Sequence, residues 1–472
     1  MSRRFLCSMI GAALLVGAAA LPASAQDHSY YAYKNNKARY EQTLSQLLDA
    51  ARADLGVKIE VAANVKPYLE QKVPMAPWKY WADPSLRLAY ILAPLDLTFE
   101  KTGENSFRVF EPWYMNRPED EAAAHLERAK ARYADRESWE KRRDEIRATL
   151  LKEFQLDPAP KKTPLNPIVG ETRQHDGYST TNVALEVFPK YWVCGTLFRP
   201  TEGDGPFPLV VSPHGHGKEG RFAADQQYRA ATLARMGAVV FAHGMLGWVA
   251  GETPLKVDAH RDPISGGIQA WSTIRVIDYL TSLENVDATR IGITGESGGG
   301  SQTFYASALD ERITVSVPAV MVSGHFYGGC PCESGTAFHS RLGCITNAEV
   351  AALFAPKPLK LIASKQDWTK NTPTVEYPFL QSIYGLYDAA DRVEYEIFDE
   401  PHGYGKSNRG ALYPFFAKEL GLDLSRVDES KVTIEPMEAM LPFGPNCEKY
   451  PEGAVRTLEE LRAAFEAAKS AE

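Results

Sequence analysis

Ser297 stands in Gly295-Glu296-Ser297-Gly298-Gly299, a G-x-S-x-G pattern. A serine hydroxyl becomes a useful nucleophile only when a base removes its proton. The pattern has chemical meaning where a strand turns sharply into a helix, lifting the hydroxyl clear of the sheet. The flanking residues predict that setting. Arg290 to Thr294 reads as a strand, and Gly298 to Ala308 reads as a helix that opens on small residues. Glycines two positions to either side relieve crowding at such a turn, and the helix start directs N–H groups and a positive dipole end at the reacting oxygen.

A base and an orienting acid must follow the nucleophile along the chain in this arrangement. Of the ten histidines, His402 is the one in a loop after the last expected strand, Val393 to Phe398. Asp367 follows the run Leu359 to Ser364 and precedes His402, so it is the expected acid. Its carboxylate would orient the imidazole and stabilise the imidazolium. Glu333 is the alternative acid.

The negative charge that develops on a reacting carbonyl needs two N–H donors, each contributing about 3 kcal/mol in the transition state. Gly298 N–H, just after the nucleophile, is the first. Pro213-His214-Gly215-His216-Gly217 follows the apolar run Leu209 to Ser212, and its glycines allow close backbone approach. His216 N–H is assigned as the second donor, with Gly215 as the near alternative. His214-x-His216 also has the look of a metal pair, but zinc needs further ligands, and Cys330-Pro331-Cys332 lacks the usual C-x2-C spacing. No metal and no cofactor are expected.

These residues need a scaffold. Short, largely apolar runs recur at Leu209–Val211, Ala238–Ala242, Ile291–Ile293, Ile313–Val317 (with Thr314 and Ser316 between) and Leu359–Ala363 (with Lys360 between), and helical patterns separate them. Runs without alternation belong to strands covered on both faces, hence to a doubly wound, mostly parallel sheet. Val183, Leu185 and Val187 alternate, as do Val193, Gly195 and Leu197, which predicts antiparallel strands leading into it. Trp139, Ile146, Leu150 and Phe154 mark a helix over Ser138 to Leu156, and Tyr40, Leu44, Leu47, Leu48 and Ala51 mark another over Lys37 to Leu55. Thr457 and Glu460 are spaced as a capping box before a terminal helix. Trp78, Tyr80, Trp81, Trp113 and Tyr114 are expected to pack the N-terminal region, although exposed aromatics could also stack on sugars.

Composition fits this picture. The chain has 472 residues, 44% hydrophobic and 24% charged, with net charge −8. An acidic balance argues against nucleic acid or an anionic membrane as partner. Arg3 and Arg4, the apolar run Met9 to Ala20 and the small residues Ala23-Ser24-Ala25 form a secretory signal pattern, with cleavage expected after Ala25 and a secreted or periplasmic destination. No later segment has 18 consecutive apolar residues, so no membrane span is expected after cleavage. Beyond the signal lie Cys194, Cys330, Cys332, Cys344 and Cys447. An odd number leaves at least one unpaired in a monomer; Cys330 or Cys332 with Cys344 is the local disulfide the spacing offers, and buried free thiols are equally compatible.

With these residues in view, the stretch from about Ser138 to Leu422 resembles the bacterial acetyl xylan esterase and dienelactone hydrolase-like group of α/β-hydrolases. The resemblance rests on Arg290 to Gly300, Pro213 to Gly217, Gly329-Cys330-Pro331-Cys332-Glu333, Ala351 to Leu359 and Asp367-Trp368-Thr369-Lys370. It implies an α/β-hydrolase fold and ester hydrolysis, often deacetylation of plant polysaccharides, and does not imply a cofactor; the leading reading is a secreted serine ester hydrolase working through an acyl-enzyme. The expected organisation is a signal peptide over 1–25, a mainly helical N-terminal extension over 26–135, the catalytic domain over 136–428 and a C-terminal extension over 429–472. The partner is then a small-molecule or polysaccharide ester. A peptidase or amidase on the same fold is the alternative chemistry, and a catalytically dead carbohydrate-binding module is the alternative class.

Overall fold

The computed structural model describes residues 41–61, 63–74, 84–92, 95, 97–110, 119–336, 338–339, 341 and 344–470. The expected signal segment, Cys7 and the aromatics Trp78, Tyr80, Trp81, Trp113 and Tyr114 lie outside the described residues. Two compact units divide between Tyr114 and Met115.

The first unit contains the expected helix as Leu44–Leu55, capped by Thr43, whose hydroxyl accepts from Gln46 N–H at 3.3 Å. A second helix spans Pro84–Leu92. Strands β1 (Glu41–Thr43) and β3 (Lys72–Pro74) pair with each other. Strands β2 (Lys58–Val61), β4 (Thr98–Gly103) and β5 (Ser106–Phe110) form a small sheet in the order β2-β5-β4. The sequence reading found the helix and not this sheet. Ile59, Phe107 and Val109 face one small core with Leu44, Leu47 and Leu48, but the alternation runs over only four or five residues per strand.

The second unit is built on nine strands. They are β6 (Ile168–Gln174), β7 (Tyr178–Phe188), β8 (Tyr191–Pro200), β9 (Phe207–Val211), β10 (Val239–His243), β11 (Val286–Glu296), β12 (Val315–Ala319), β13 (Leu359–Ser364) and β14 (Val393–Phe398), in the order β14-β13-β12-β11-β9-β10-β8-β7-β6. From β14 through β10 all pairs are parallel, and β8, β7 and β6 run antiparallel at the other side. This is the expected α/β-hydrolase architecture. Every residue of β10, β12 and β13 is buried, because helices cover both faces.

One apolar layer joins Trp139, Ile146 and Leu150 of the helix Arg136–Glu153 to β7, β9, β11 and the helix Ser265–Thr281. The other joins Val210, Val240, Val317 and Ile362 to the helices Ala224–Arg235 and Lys406–Leu420. Leu126 and Ala129 of the helix Glu119–Arg132 belong to the first layer, so this helix packs with the large unit. The terminal helix Leu458–Ser470 places Leu461 and Phe465 in the same layer. Its capping box forms as the sequence predicted, with Glu460 N–H donating to Thr457 Oγ1 and Thr457 N–H donating to Glu460 Oε2.

Candidate active site

The parallel strands set the positions of the chemical groups. β9 lies between β10 and β11, so the chain crosses in opposite directions on leaving β9 and on reaching β11. Such a reversal opens a crevice at the carboxyl ends of the strands. Ser297 follows β11, the loop 213–217 follows β9, Asp367 follows β13 and His402 follows β14.

Ser297 has φ 55° and ψ −123°, a left-handed conformation that a serine adopts only at a cost. Its N–H donates to Ala319 O of the neighbouring strand at 3.1 Å, and the helix Gly298–Leu309 starts at the next residue. The crowding argument for its glycines holds. A Cβ on Gly299 would sit 2.6 Å from Pro213 O, and one on Gly295 would sit 2.7 Å from the Gly299 backbone.

His402 Nδ1 and Asp367 Oδ2 are 2.7 Å apart. A carboxylate only accepts, so Nδ1 carries the proton and Nε2 presents a lone pair. The other carboxylate oxygen, Oδ1, accepts from Thr369 N–H and from Thr369 Oγ1–H, both at 2.6 Å. The Asp367 side chain is 2% exposed and that of His402 is 30% exposed, so the carboxylate is sealed while the imidazole remains reachable. Trp368 lies against the His402 ring at 4.4 Å and against Phe326 at 4.2 Å. Glu333, the alternative acid, turns elsewhere: its Oε2 accepts from Gly329 and Cys330 N–H, and its Oε1 accepts from Ser301 Oγ.

The loop 213–217 reaches Ser297. A Cβ on Gly215 would lie 3.1 Å from Ser297 Cβ. Gly215 N–H, the near alternative donor, is engaged by Glu296 Oε1 at 2.8 Å. Gly298 occupies the first position of its helix, where the N–H has no intrahelical acceptor. His214 accepts from Met245 N–H through Nε2 and meets Gly215 O through Nδ1, and burial pushes its imidazole down to about 3. It is a neutral, doubly engaged core residue, so His214-x-His216 is not a metal pair.

Sequence reasoning missed several residues around this site. Arg229 pairs with Glu296 Oε2 at 3.0 Å, lies over the Tyr404 ring at 4.4 Å and is fully buried. Tyr404 hydroxyl shares a 2.7 Å hydrogen bond with Thr294 Oγ1. His260 meets His216, with the two Nε2 atoms 3.1 Å apart. The unassigned polar position inside the G-x-S-x-G pattern, Glu296, was the one local hint of a network here. Cys194, Cys330, Cys332, Cys344 and Cys447 form no disulfide, which is the second of the two alternatives the sequence left open; Cys344 lies beside the Tyr327 hydroxyl at 3.4 Å.

The comparisons agree with the fold. The family model described as "Glucuronyl esterase, fungi" matches residues 266–332. A 57-residue stretch is 40% identical to 4-O-methyl-glucuronoyl methylesterase 1 of Sodiomyces alcalophilus, covering 12% of each chain. A 147-residue stretch is 25% identical to YtaP of Bacillus subtilis (strain 168), covering 28% of this chain and 48% of that protein. These two matches thus span half or less of the curated relatives' length. The structure of methylesterase BT1017 matches far more fully, with TM-score 0.74, 35% identity, 92% of this chain and 98% of that one.

Proposed function

This chain belongs to the α/β-hydrolase family that includes methylesterase BT1017, and on that premise we propose that it is a serine carboxylic ester hydrolase that cleaves methyl esters of carbohydrate uronic acids. The observation that carries the mechanism is the 2.7 Å Asp367–His402 hydrogen bond at the same sheet edge as a left-handed Ser297. His402 Nε2 takes the Ser297 proton as Oγ attacks the ester carbonyl. Gly298 and His216 N–H hold the oxyanion. The imidazolium then gives its proton to the leaving alcohol, and water activated by the same imidazole hydrolyses the acyl-enzyme.

The relatives' names move the substrate away from the acetyl esters expected earlier. In an acetylated sugar, the sugar is the alcohol and leaves first. In a methyl uronate, the sugar carries the acyl group and methanol leaves, so the crevice must hold the carbohydrate through the acyl-enzyme stage. The names that support this are those of BT1017 and of the Sodiomyces enzyme. We also read residues 1–25 as an export signal, which would bring the enzyme to extracellular or periplasmic polymer; a mature N-terminus at Gln26 tests that.

The deciding experiment compares methanol release from methyl-esterified pectin and methyl glucuronate esters with acetate release from acetylated xylan. Methanol release lost in Ser297→Ala is expected. Faster acetate release would return the substrate to acetyl esters, and no ester turnover on any member would overturn the reading.

A further inference from the structure

Close to the proposed oxyanion loop, four side chains that the ester chemistry does not use converge. His216, His260, Cys330 and Cys332 each offer one ligand atom, and these atoms all lie within 4.8 Å of one another. They come from three separate segments of the large unit. We propose that they form a four-coordinate site for a zinc-class divalent ion that ties the 213–217 loop to the turn at Cys330–Ser334.

The donor geometry matches this use. Zinc bonds sulfur at about 2.3 Å and imidazole nitrogen at about 2.0–2.1 Å, so the donors of a tetrahedral site sit about 3.3 to 3.8 Å apart. His216 Nε2 is 3.1 Å from His260 Nε2 and 3.2 Å from Cys332 Sγ. The tautomer of His260 is fixed for the purpose. Its Nδ1 lies 3.0 Å from Leu246 O, a carbonyl that only accepts, so the proton is on Nδ1 and Nε2 faces the cluster bare. A ring nitrogen anchored to a backbone carbonyl is the usual outer support of a histidine ligand. On the other ring, His216 Nδ1 faces Glu333 Oε1 at 3.9 Å. Two imidazoles with two thiols favour zinc over magnesium or calcium, which prefer oxygen. Binding Zn2+ releases the two thiol protons, and the two thiolates then balance the ion's charge.

Four protein ligands close the coordination shell, which makes the site structural and not a source of metal-bound water. His260 is fully buried and Cys332 is 5% exposed. The ion's effect on chemistry would pass through His216. Its ring covers Gly298, where any Cβ would collide with it, and its backbone carries the oxyanion donor proposed above. That link to turnover rests on the proposed function; the metal site itself does not.

The test is elemental analysis of the full chain, freed of any affinity tag and desalted from zinc-containing buffer. About one zinc per chain is expected, falling at least tenfold in Cys330→Ser/Cys332→Ser and in His260→Ala. Should those variants fail to fold, the native chain stripped by chelator and refilled with cobalt(II) should show thiolate-to-cobalt charge transfer and the intense visible bands of a tetrahedral ion. Ser297→Ala should keep the full zinc content and lose ester turnover, which separates the two proposals. Less than a tenth of an equivalent of zinc with no cobalt spectrum would overturn the site. So would a mass two hydrogens light from a Cys330–Cys332 disulfide, or selective retention of magnesium or calcium.

Discussion

The Glu296 carboxylate accepts a 2.8 Å hydrogen bond from Gly215 N–H, so the residue just before Ser297 holds the loop that faces it. Gln226 donates to the same oxygen at 2.7 Å, and Arg229 pairs with the other. Arg229 in turn lies over Tyr404, two residues beyond His402. One buried ion pair therefore joins the end of β11, the loop after β9 and the loop that carries His402. Removing one partner of such a pair leaves an uncompensated buried charge, which costs about 3–5 kcal/mol. Glu296→Gln should therefore lower the denaturation midpoint markedly, and Glu296→Gln/Arg229→Met should recover part of the loss. A single variant that unfolds like the native chain would show that the pair does not anchor these loops.

Ser297→Ala removes the oxygen that the proposed mechanism uses to form the acyl-enzyme. Turnover should fall by about 10^4-fold or more with the melting temperature maintained. A fluorophosphonate probe should label the native chain at Ser297 and leave the variant unlabelled. Near-native turnover in the variant would place the nucleophile elsewhere.

Asp367→Asn keeps the shape and reverses one hydrogen bond. The two Thr369 donors will hold the amide oxygen at the Oδ1 position, which turns the amide NH2 toward His402 Nδ1. Nδ1 must then accept, the proton moves to Nε2, and the base is blocked. A loss of about 10^4-fold in kcat is expected, as for the wrong tautomer in other serine hydrolases, with KM little changed. A larger loss in Glu333→Gln than in Asp367→Asn would name Glu333 as the acid.

Gly215→Ala introduces a Cβ 2.8 Å from both the Glu296 carbonyl and its carboxylate, and 3.1 Å from Ser297 Cβ. Backbone on one side and the elbow on the other leave the loop to move. Displacing the neighbouring His216 N–H from its oxyanion position should lower kcat by about 10^2–10^3-fold, the range found when one such donor is lost. Kinetics with a soluble ester would read this as a kcat effect; an effect confined to KM would assign the loop to substrate binding alone.

Glu376 opens the helix Glu376–Gly385 with its side chain fully buried and one oxygen bonded to Gly324 N–H at 2.7 Å. Burial pushes its carboxyl up to about 7. The folded chain thus holds a proton that the unfolded chain has already released. This group's contribution is present at low pH and is lost as pH rises from the unfolded carboxyl range through about 7, by about 3 kcal/mol at most. Glu376→Gln should flatten the fall in melting temperature between pH 5 and pH 8 and should melt higher than the native chain at pH 8. An unchanged pH profile would show that Glu376 is already ionised in the folded chain.

The sequence by itself determined the elements and the order of the chemistry along them. Short, largely apolar runs marked β9 through β13 as covered parallel strands; Ser297 and Asp367 could be picked because each follows one of those runs, and His402 because it follows the last, alternating strand Val393–Phe398. These are local signals, written in neighbouring residues, and burial on two faces forces them into the sequence. The small sheet β2-β5-β4 escaped because its alternating runs are too short to stand out among charged residues. What only the tertiary structure decided are the meetings across the sheet. Glu296 finds Arg229 and Gly215, and His216 finds His260 and Cys332 across separations of 44 and 116 residues. No periodicity encodes such contacts. They follow from the order in which the strands lie side by side, which brings the ends of distant segments to one edge.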